Sequence, residues 1–105
     1  MSDEVCLAEF QKYLTEVKKS SANTLASYMR DVRQLEDYLS SHDLPGLAEA
    51  GEDDLLSYTH WLKAAGKSAA TVSRCIASLK CFYNFLLSEG EIDELPTGKL
   101  VPEKA

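Results

Sequence analysis

The sequence predicts an all-α fold in which four helices form a compact bundle. Apolar residues recur with the 3.6-residue period of an α-helix through almost the whole chain, and no segment shows strand alternation. Serines, glycines and one Pro-Gly pair separate the periodic segments where helices begin or end. With 105 residues and 45% hydrophobic content, the chain is predicted to form one domain with a modest core.

The first and third helices are predicted from their apolar stripes. The first spans about residues 4–18, and its stripe ends at Val17. The third spans about residues 52–65 and carries Trp61 in its stripe. Its first turn is acidic, which suits the positive end of a helix dipole, and Gly66 is predicted to end it.

The second and fourth helices are predicted with clear capping signals. The second spans about residues 22–41 after Ser21, whose hydroxyl can accept from the free amides of the first turn. The fourth spans about residues 69–88 after Ser68, and Gly90 is predicted to close it. Its apolar stripe is the broadest of the four, so we expect it to be the most buried helix.

The chain is predicted to divide into a helical domain and a short tail. The helical domain covers residues 1–94. Residues 95–105 lack helical periodicity and contain Pro96, Gly98 and Pro102. We therefore expect a linker stub that leads toward a further domain.

Composition argues against several classes of protein. No apolar run approaches the roughly 20 residues of a membrane span, and the acidic N-terminus is unlike a secretory signal. The three cysteines lack metal-site spacing, and Cys75 and Cys81 are expected to be buried free thiols. We expect a cytoplasmic protein with no metal, no cofactor, no membrane contact and no small-molecule substrate.

The net charge of −6 argues, taken over the whole chain, against a nucleic-acid binder. The distribution of charge indicates otherwise. Residues 55–88 include four cations and no acid, whereas acids cluster at residues 49–54 and 89–94. Because salt screens the fields of exposed charges over roughly 10 Å, a net-acidic domain can still present one basic face.

The second and fourth helices begin with the same pattern. Ser21 and Ser68 are each followed three residues later by a threonine, and lysines precede both. A helix N-terminus offers unpaired amides and partial positive charge, which suits a phosphate group. Lysines nearby add attraction that does not depend on nucleotide sequence. Two such helix starts are typical of a phosphate-binding face.

Each of these residues also has a purely structural interpretation. A serine at the start of a helix is often only a cap, and lysines before a helix are often only solvated. Arg74 is long enough to reach a guanine edge or a phosphate, but it could equally pair with Asp31. The spacing by itself leaves these alternatives open.

Three ordered strings carry a family resemblance. They are Ser21-x-x-Thr24-x-x-x-Tyr28-x-x-Asp31-Val32, then Asp53-Asp54-Leu55-Leu56-x-Tyr58, and then Ser68-x-x-Thr71-x-x-Arg74. In this order, over about residues 4–94, they resemble the N-terminal core-binding domain of phage-integrase-family tyrosine recombinases. The resemblance implies a compact, orthogonal four-helix bundle of the SAM-like kind, which closes around duplex DNA together with a C-terminal catalytic domain.

The resemblance also implies which residues contact DNA. The second and fourth helices of this domain face the major groove and its flanking phosphates. Carried over position by position, the implied contacts are Thr24, Ser27, Lys67, Ser68, Ala70, Thr71, Arg74 and Lys80. Alanine at position 70 offers no hydrogen bond where family members often carry a polar residue, so we expect mainly backbone contacts.

The family's chemistry needs a tyrosine nucleophile together with arginines, a lysine and histidines around the phosphate. The sequence shows no such constellation, so we expect no enzyme activity from this chain alone. The implied partners are double-stranded DNA and other recombinase protomers. An alternative function is a helical protein-interaction module, in which an apolar patch of Val5, Leu7 and Phe10 mediates contacts between protomers.

Overall fold

A computed structural model describes residues 2–101. It contains α1 (Asp3–Glu16), α2 (Ala22–Ser41), α3 (Glu52–Ala64) and α4 (Ala69–Ser88), and residues 2–101 include no strand. The prediction of an all-α bundle is confirmed. The bounds of α2 and α4 match the prediction, whereas α1 ends two residues earlier and α3 one residue earlier. No helix in this part of the chain is long and apolar enough to cross a membrane.

The predicted caps are present at both ends of the helices. Ser21 Oγ accepts from the Thr24 amide and Ser68 Oγ from the Thr71 amide, each at 3.2 Å. Beyond α3 and α4, Gly66 and Gly90 adopt φ values of 87° and 74°. Only glycine adopts this left-handed conformation without steric cost, so Gly66 and Gly90 follow the two helix ends, as predicted.

The core forms around α4, which contacts all three other helices. The Phe82 ring packs edge-on against Phe10 of α1, with ring centroids 5.1 Å apart. The Tyr83 hydroxyl donates to the Leu47 backbone oxygen at 2.8 Å and so ties the α2–α3 loop to α4. Cys75, as predicted, is a buried free thiol, but Cys81 is only half-buried. These contacts make α4 the most buried helix, as its broad stripe predicted.

Two residues of the predicted stripes are exposed. Val17 follows the last residue of α1 and is 69% exposed, because the helix ends before it can carry the side chain into the core. Trp61 is 39% exposed. Its ring lies over Tyr38 and Tyr58, with centroids 5.2 and 5.9 Å away, so it is only partly covered by protein. The core prediction was therefore wrong at these two positions.

The chain after α4 folds back onto the bundle. Pro96, Thr97 and Leu100 are buried, and Leu100 belongs to the hydrophobic core. Lys99 Nζ lies 2.9 Å from Asp53 Oδ1 at the start of α3. The domain boundary predicted at residue 94 stays a prediction, but residues up to 100 pack as part of the bundle. The rest of the predicted linker, residues 102–105, lies outside the described residues.

Candidate nucleic-acid interface

The starts of α2 and α4 have the same geometry. In each, the serine hydroxyl accepts from the threonine amide and donates to the threonine Oγ1 at 3.0 Å. The caps use the third amide of each helix, while the first two amides have no partner within the helix itself. Ser21, Thr24 and Ser68 are exposed, and Thr71 is half-buried. Both helix starts therefore present open amides and hydroxyls at the surface.

The two helices pass each other in opposite directions. Lys18, just before α2, has its Nζ 3.8 Å from Cys81 Sγ in the middle of α4. Asp31, in the middle of α2, contacts Arg74 near the beginning of α4. The two helix starts consequently lie at opposite ends of a shared α2–α4 face.

A basic cleft lies on this face, beside the start of α4. It has a volume of about 620 Å³ and is lined by Ala26, Met29, Arg30, Arg33, Gln34, Asp37, Lys67, Thr71 and Arg74. Four cationic side chains and one carboxylate thus surround an open groove in a chain whose net charge is −6. We call this groove the basic cleft.

Arg74 forms a bidentate ion pair with a buried carboxylate. Its Nε lies 3.3 Å from Asp31 Oδ2, and its Nη2 lies 3.1 Å from Asp31 Oδ1. The Asp31 side chain is fully buried, whereas the Arg74 side chain is 46% exposed. The hydrogen bonds to Asp31 raise the pKa of Arg74 further above its ordinary value. The ion pair that the sequence left open is therefore present, and half of the arginine still faces water.

Two more side chains complete the surroundings of Asp31. Ser78 Oγ donates to Asp31 Oδ2 at 2.7 Å, and Cys75 Sγ lies 3.8 Å from Oδ1. Burial raises the pKa of the Cys75 thiol, and the Asp31 charge raises it further. Asp31 thus joins α2 to three residues of α4.

The basic cleft brings together three of the eight residues that the resemblance implied: Lys67, Thr71 and Arg74. Thr24 and Ala70 are exposed and do not line it. Lys80 is half-buried and comes six residues after Arg74, which places it about 120° away around α4. Three of the eight implied residues therefore lie together in the basic cleft, whereas Lys80 lies on another side of α4.

Ser27 and Ser68 lie beside the basic cleft without lining it. Ser27 Oγ accepts from Arg30 Nη2 at 3.4 Å, and that arginine does line the cleft. Ser68 is exposed between Lys67 and the first turn of α4. The Ser27 hydroxyl is thus next to a cationic side chain, and Ser68 directly follows Lys67 in the chain.

Arg30 and Arg33 were not predicted from the sequence as interface residues. Together with Gln34 and Asp37, they follow the i, i+3, i+4, i+7 spacing that places side chains on one face of a helix. That spacing was the available signal. The spacing does not reveal how α4 packs against α2. That packing places Lys67 and Arg74 opposite these arginines.

A second open groove has the opposite charge. It has a volume of about 840 Å³, and its acidic lining residues are Glu49, Glu52, Asp53, Asp54, Glu91, Asp93 and Glu94. Lys99 is the one cation that lines it. Within residues 2–101, no group of three or more histidine, cysteine or acidic side chains is arranged to hold a metal ion. We call this groove the acidic cleft.

Comparison with known proteins identifies the family. Residues 7–90 match the family described as phage integrase, N-terminal SAM-like domain. The chain is similar to tyrosine recombinase XerD of Rhizobium meliloti, with 38% identity over 97 residues, 91% of this chain and 31% of that protein. It is also similar to tyrosine recombinase XerC of Roseiflexus sp., with 30% identity over 100 residues, 95% of this chain and 31% of that protein.

The similarity covers only part of each recombinase. The chain spans about a third of the length of the curated relatives it matches. No solved structure gives a significant match.

Proposed function

Because this chain belongs to the family of the phage integrase N-terminal SAM-like domain, we propose that it binds duplex DNA for a tyrosine recombinase. Its α2–α4 face holds the target half-site, and a catalytic domain outside this chain carries out integration or recombination. Its partners are double-stranded DNA and further recombinase protomers.

The observation that carries this proposal is the basic cleft. Its four cations lie along α2 and at the start of α4, so they are beside one of the two open helix starts. Cationic side chains supply most of the sequence-independent attraction to the DNA backbone. The acids of the chain lie mainly elsewhere, so this face is suited to approach a polyanion despite the net charge.

The geometry of the face suggests how the contacts are divided. Lys67 and Arg33 both line the basic cleft, and Ser21, the N-cap of α2, comes twelve residues before Arg33. At 1.5 Å per residue, the two helix starts are about 18 Å apart along α2. A major groove is about 12 Å wide, so the two starts can contact phosphates on its opposite sides.

Each implied residue then has a role in this arrangement. Thr24 and Ser27 contact phosphates at one end, and Lys67, Ser68 and Thr71 at the other. Arg74 reaches a base edge or a phosphate between them. Ala70 lets the DNA approach closely without a hydrogen bond. Lys80 adds only longer-range attraction, since it lies about 120° around α4 from Arg74.

Two of the five tyrosines are in surroundings that disfavour phosphoryl chemistry. Tyr58 and Tyr83 are fully buried, and burial raises the pKa of both phenols. A nucleophilic tyrosine must reach the phosphate and lose its proton. The proposal therefore assigns the nucleophile to the catalytic domain.

The alternative function, protein interaction through α1, has less support. Leu7 and Phe10 are buried in the core, so only Val5, at 46% exposure, remains of the patch. Exposed Val17 lies near the other end of α1. Contacts between protomers stay part of the proposal, but the α1 patch is too small to be the main function of the domain.

The experiment that tests the proposal is an NMR titration of the 15N-labelled chain with a duplex of about 20 base pairs at roughly 50 mM and 200 mM salt. We expect amide shifts at residues 21–34 and 67–74, with residues 91–94 unchanged. Neutralising about four phosphates should weaken binding roughly 100-fold between the two salt concentrations. If residues 21–34 and 67–74 stay silent at low salt, while α1 signals broaden with protein concentration, protein interaction replaces DNA binding.

A further inference from the structure

Asp31 is a buried charge whose cationic partner reaches the surface. It lies in the middle of α2 with 1% exposure, and Arg74 is half in water at the basic cleft. A carboxylate this close to a DNA-binding face repels phosphates. The Asp31 charge offsets part of the attraction that Arg74 offers to DNA, so any benefit of Asp31 to binding must come from geometry.

The geometry of the pair is specific. Asp31 binds the side edge of the guanidinium, through Nε and Nη2. Nη2 also lies 3.9 Å from Cys75 Sγ, whereas Nη1 has no partner among the described residues. A guanidinium is a rigid planar fork, so holding one edge sets the direction of the remaining donors. Arg74 thus presents its two Nη1 N–H groups in a set direction.

We propose that Asp31 is a positioning residue, which holds the Arg74 guanidinium so that Nη1 points at the bound DNA. This inference rests on the proposed function. A free arginine side chain loses rotamer entropy when binding fixes it in one conformation. Asp31 and Ser78 remove that cost in advance, because they order Arg74 before DNA arrives.

Whether one substitution raises or lowers the affinity for DNA distinguishes a positioning role of Asp31 from a simple charge effect. Asp31→Asn removes a negative charge near the DNA, so charge alone would strengthen binding. If Asp31 positions Arg74, Asp31→Asn instead weakens duplex binding, by about 5–10-fold at low salt. The asparagine can still accept from Ser78, and denaturant unfolding would verify that the variant is folded under the binding conditions.

Asp37→Asn is the matched control. Asp37 is an exposed acid on the same helix, and it lines the same cleft. Because it has no role at Arg74 in this proposal, its neutralisation should strengthen binding about 2–3-fold. Opposite signs for Asp31→Asn and Asp37→Asn support positioning, and a gain in both variants overturns it.

A double-mutant cycle separates positioning from a general effect on the fold. If Asp31 acts through Arg74, Asp31→Asn should no longer weaken binding in an Arg74→Gln background. A loss of the same size in both backgrounds would mean that Asp31 supports the fold only. The Arg74 Nε–H resonance gives a second readout, since it should be protected from solvent exchange in the native chain and exposed in Asp31→Asn.

The proposed function and this inference fail in different ways. If the native chain binds no duplex at low salt, the DNA-binding proposal fails. If the native chain binds and Asp31→Asn binds equally well or more tightly, only the positioning role fails.

Discussion

The basic and acidic clefts are open grooves of similar size with opposite charge. The basic cleft lies between α2 and the start of α4, where four cations surround one carboxylate. The acidic cleft lies between the start of α3 and the segment after α4, where seven carboxylates surround one lysine. The comparison shows that a net charge of −6 describes neither face of this molecule.

Some acids of the acidic cleft have a structural explanation of their own. Three of them occupy the first turn of α3, where negative charge is favourable to the helix dipole. One of the three, Asp54, accepts from the Gly51 amide at 2.9 Å through Oδ2 and caps the helix. The cations of the basic cleft have fewer such roles, which is why we assign the binding function to that side.

The two clefts also differ in how deeply the acid of the neighbouring ion pair is buried. Arg74 is bound at two points to a fully buried carboxylate. Lys99 is bound at one point to Asp53, whose side chain is 89% exposed. A pair in water contributes little to stability, whereas breaking a pair with a buried member leaves a charge without compensation.

The largest expected effect comes from reversing charge in one cleft and not in the other. Arg33→Glu combined with Lys67→Glu should weaken duplex binding about 100-fold and lower the log–log salt slope by about two, if both cations contact phosphates as the proposed function requires. Fluorescence anisotropy at several salt concentrations measures both quantities.

The matched control for charge reversal is Lys12→Glu combined with Lys99→Glu. It changes the net charge by the same amount, but Lys12 lies on α1 and Lys99 lines the acidic cleft. We expect its affinity to stay within about threefold of the native chain. Equal losses in the two double variants would mean that net charge, and not the basic cleft, controls binding.

A smaller effect, on stability, should separate the two ion pairs. Arg74→Ala leaves Asp31 buried with Ser78 as its main donor, and should lower the free energy of unfolding by about 2 kcal/mol. This is less than for a fully buried pair, since half of the arginine is in water. Lys99→Ala should leave the urea midpoint unchanged within error. Similar midpoints for the two variants would contradict the distinction.

The helices could be predicted from the sequence because their signals are local. The caps at Ser21 and Ser68 and the stops at Gly66 and Gly90 depend on residues within one turn. The burial of Leu100 depends on a chain segment that returns to the bundle, and no local pattern predicts that return.

The candidate site could be predicted only in part, for a similar reason. Lys67, Thr71 and Arg74 were implied by position in the family pattern. Arg30 and Arg33 become neighbours of these residues only when α4 crosses α2 in the observed direction. Periodicity predicts which side of each helix is apolar. It does not predict which sides pack together, or which residues of the two helices lie opposite each other.

The last expected effect appears only in alkali and concerns two buried thiols, Cys6 and Cys75. Burial, together with the nearby charges of Asp3, Glu49 and Glu91, raises the pKa of Cys6 from 9.0 to about 11. The pKa of Cys75 is raised by burial and by Asp31, but Arg74 lowers it. The acids near Cys6 therefore disfavour its thiolate form. Arg74, at the basic cleft, partly favours the thiolate form of Cys75.

These pKa shifts predict how stability falls in alkali. Between about pH 9 and 11 the unfolded chain loses the Cys6 proton while the folded chain keeps it, so this contribution is complete below pH 9. It then declines by about 1.4 kcal/mol per pH unit. Denaturant unfolding at several pH values should show that Cys6→Ala flattens this decline more than Cys75→Ala does. Equal slopes in the two variants would mean that burial alone sets both pKa values, and that the opposite charges of the two clefts do not reach the core.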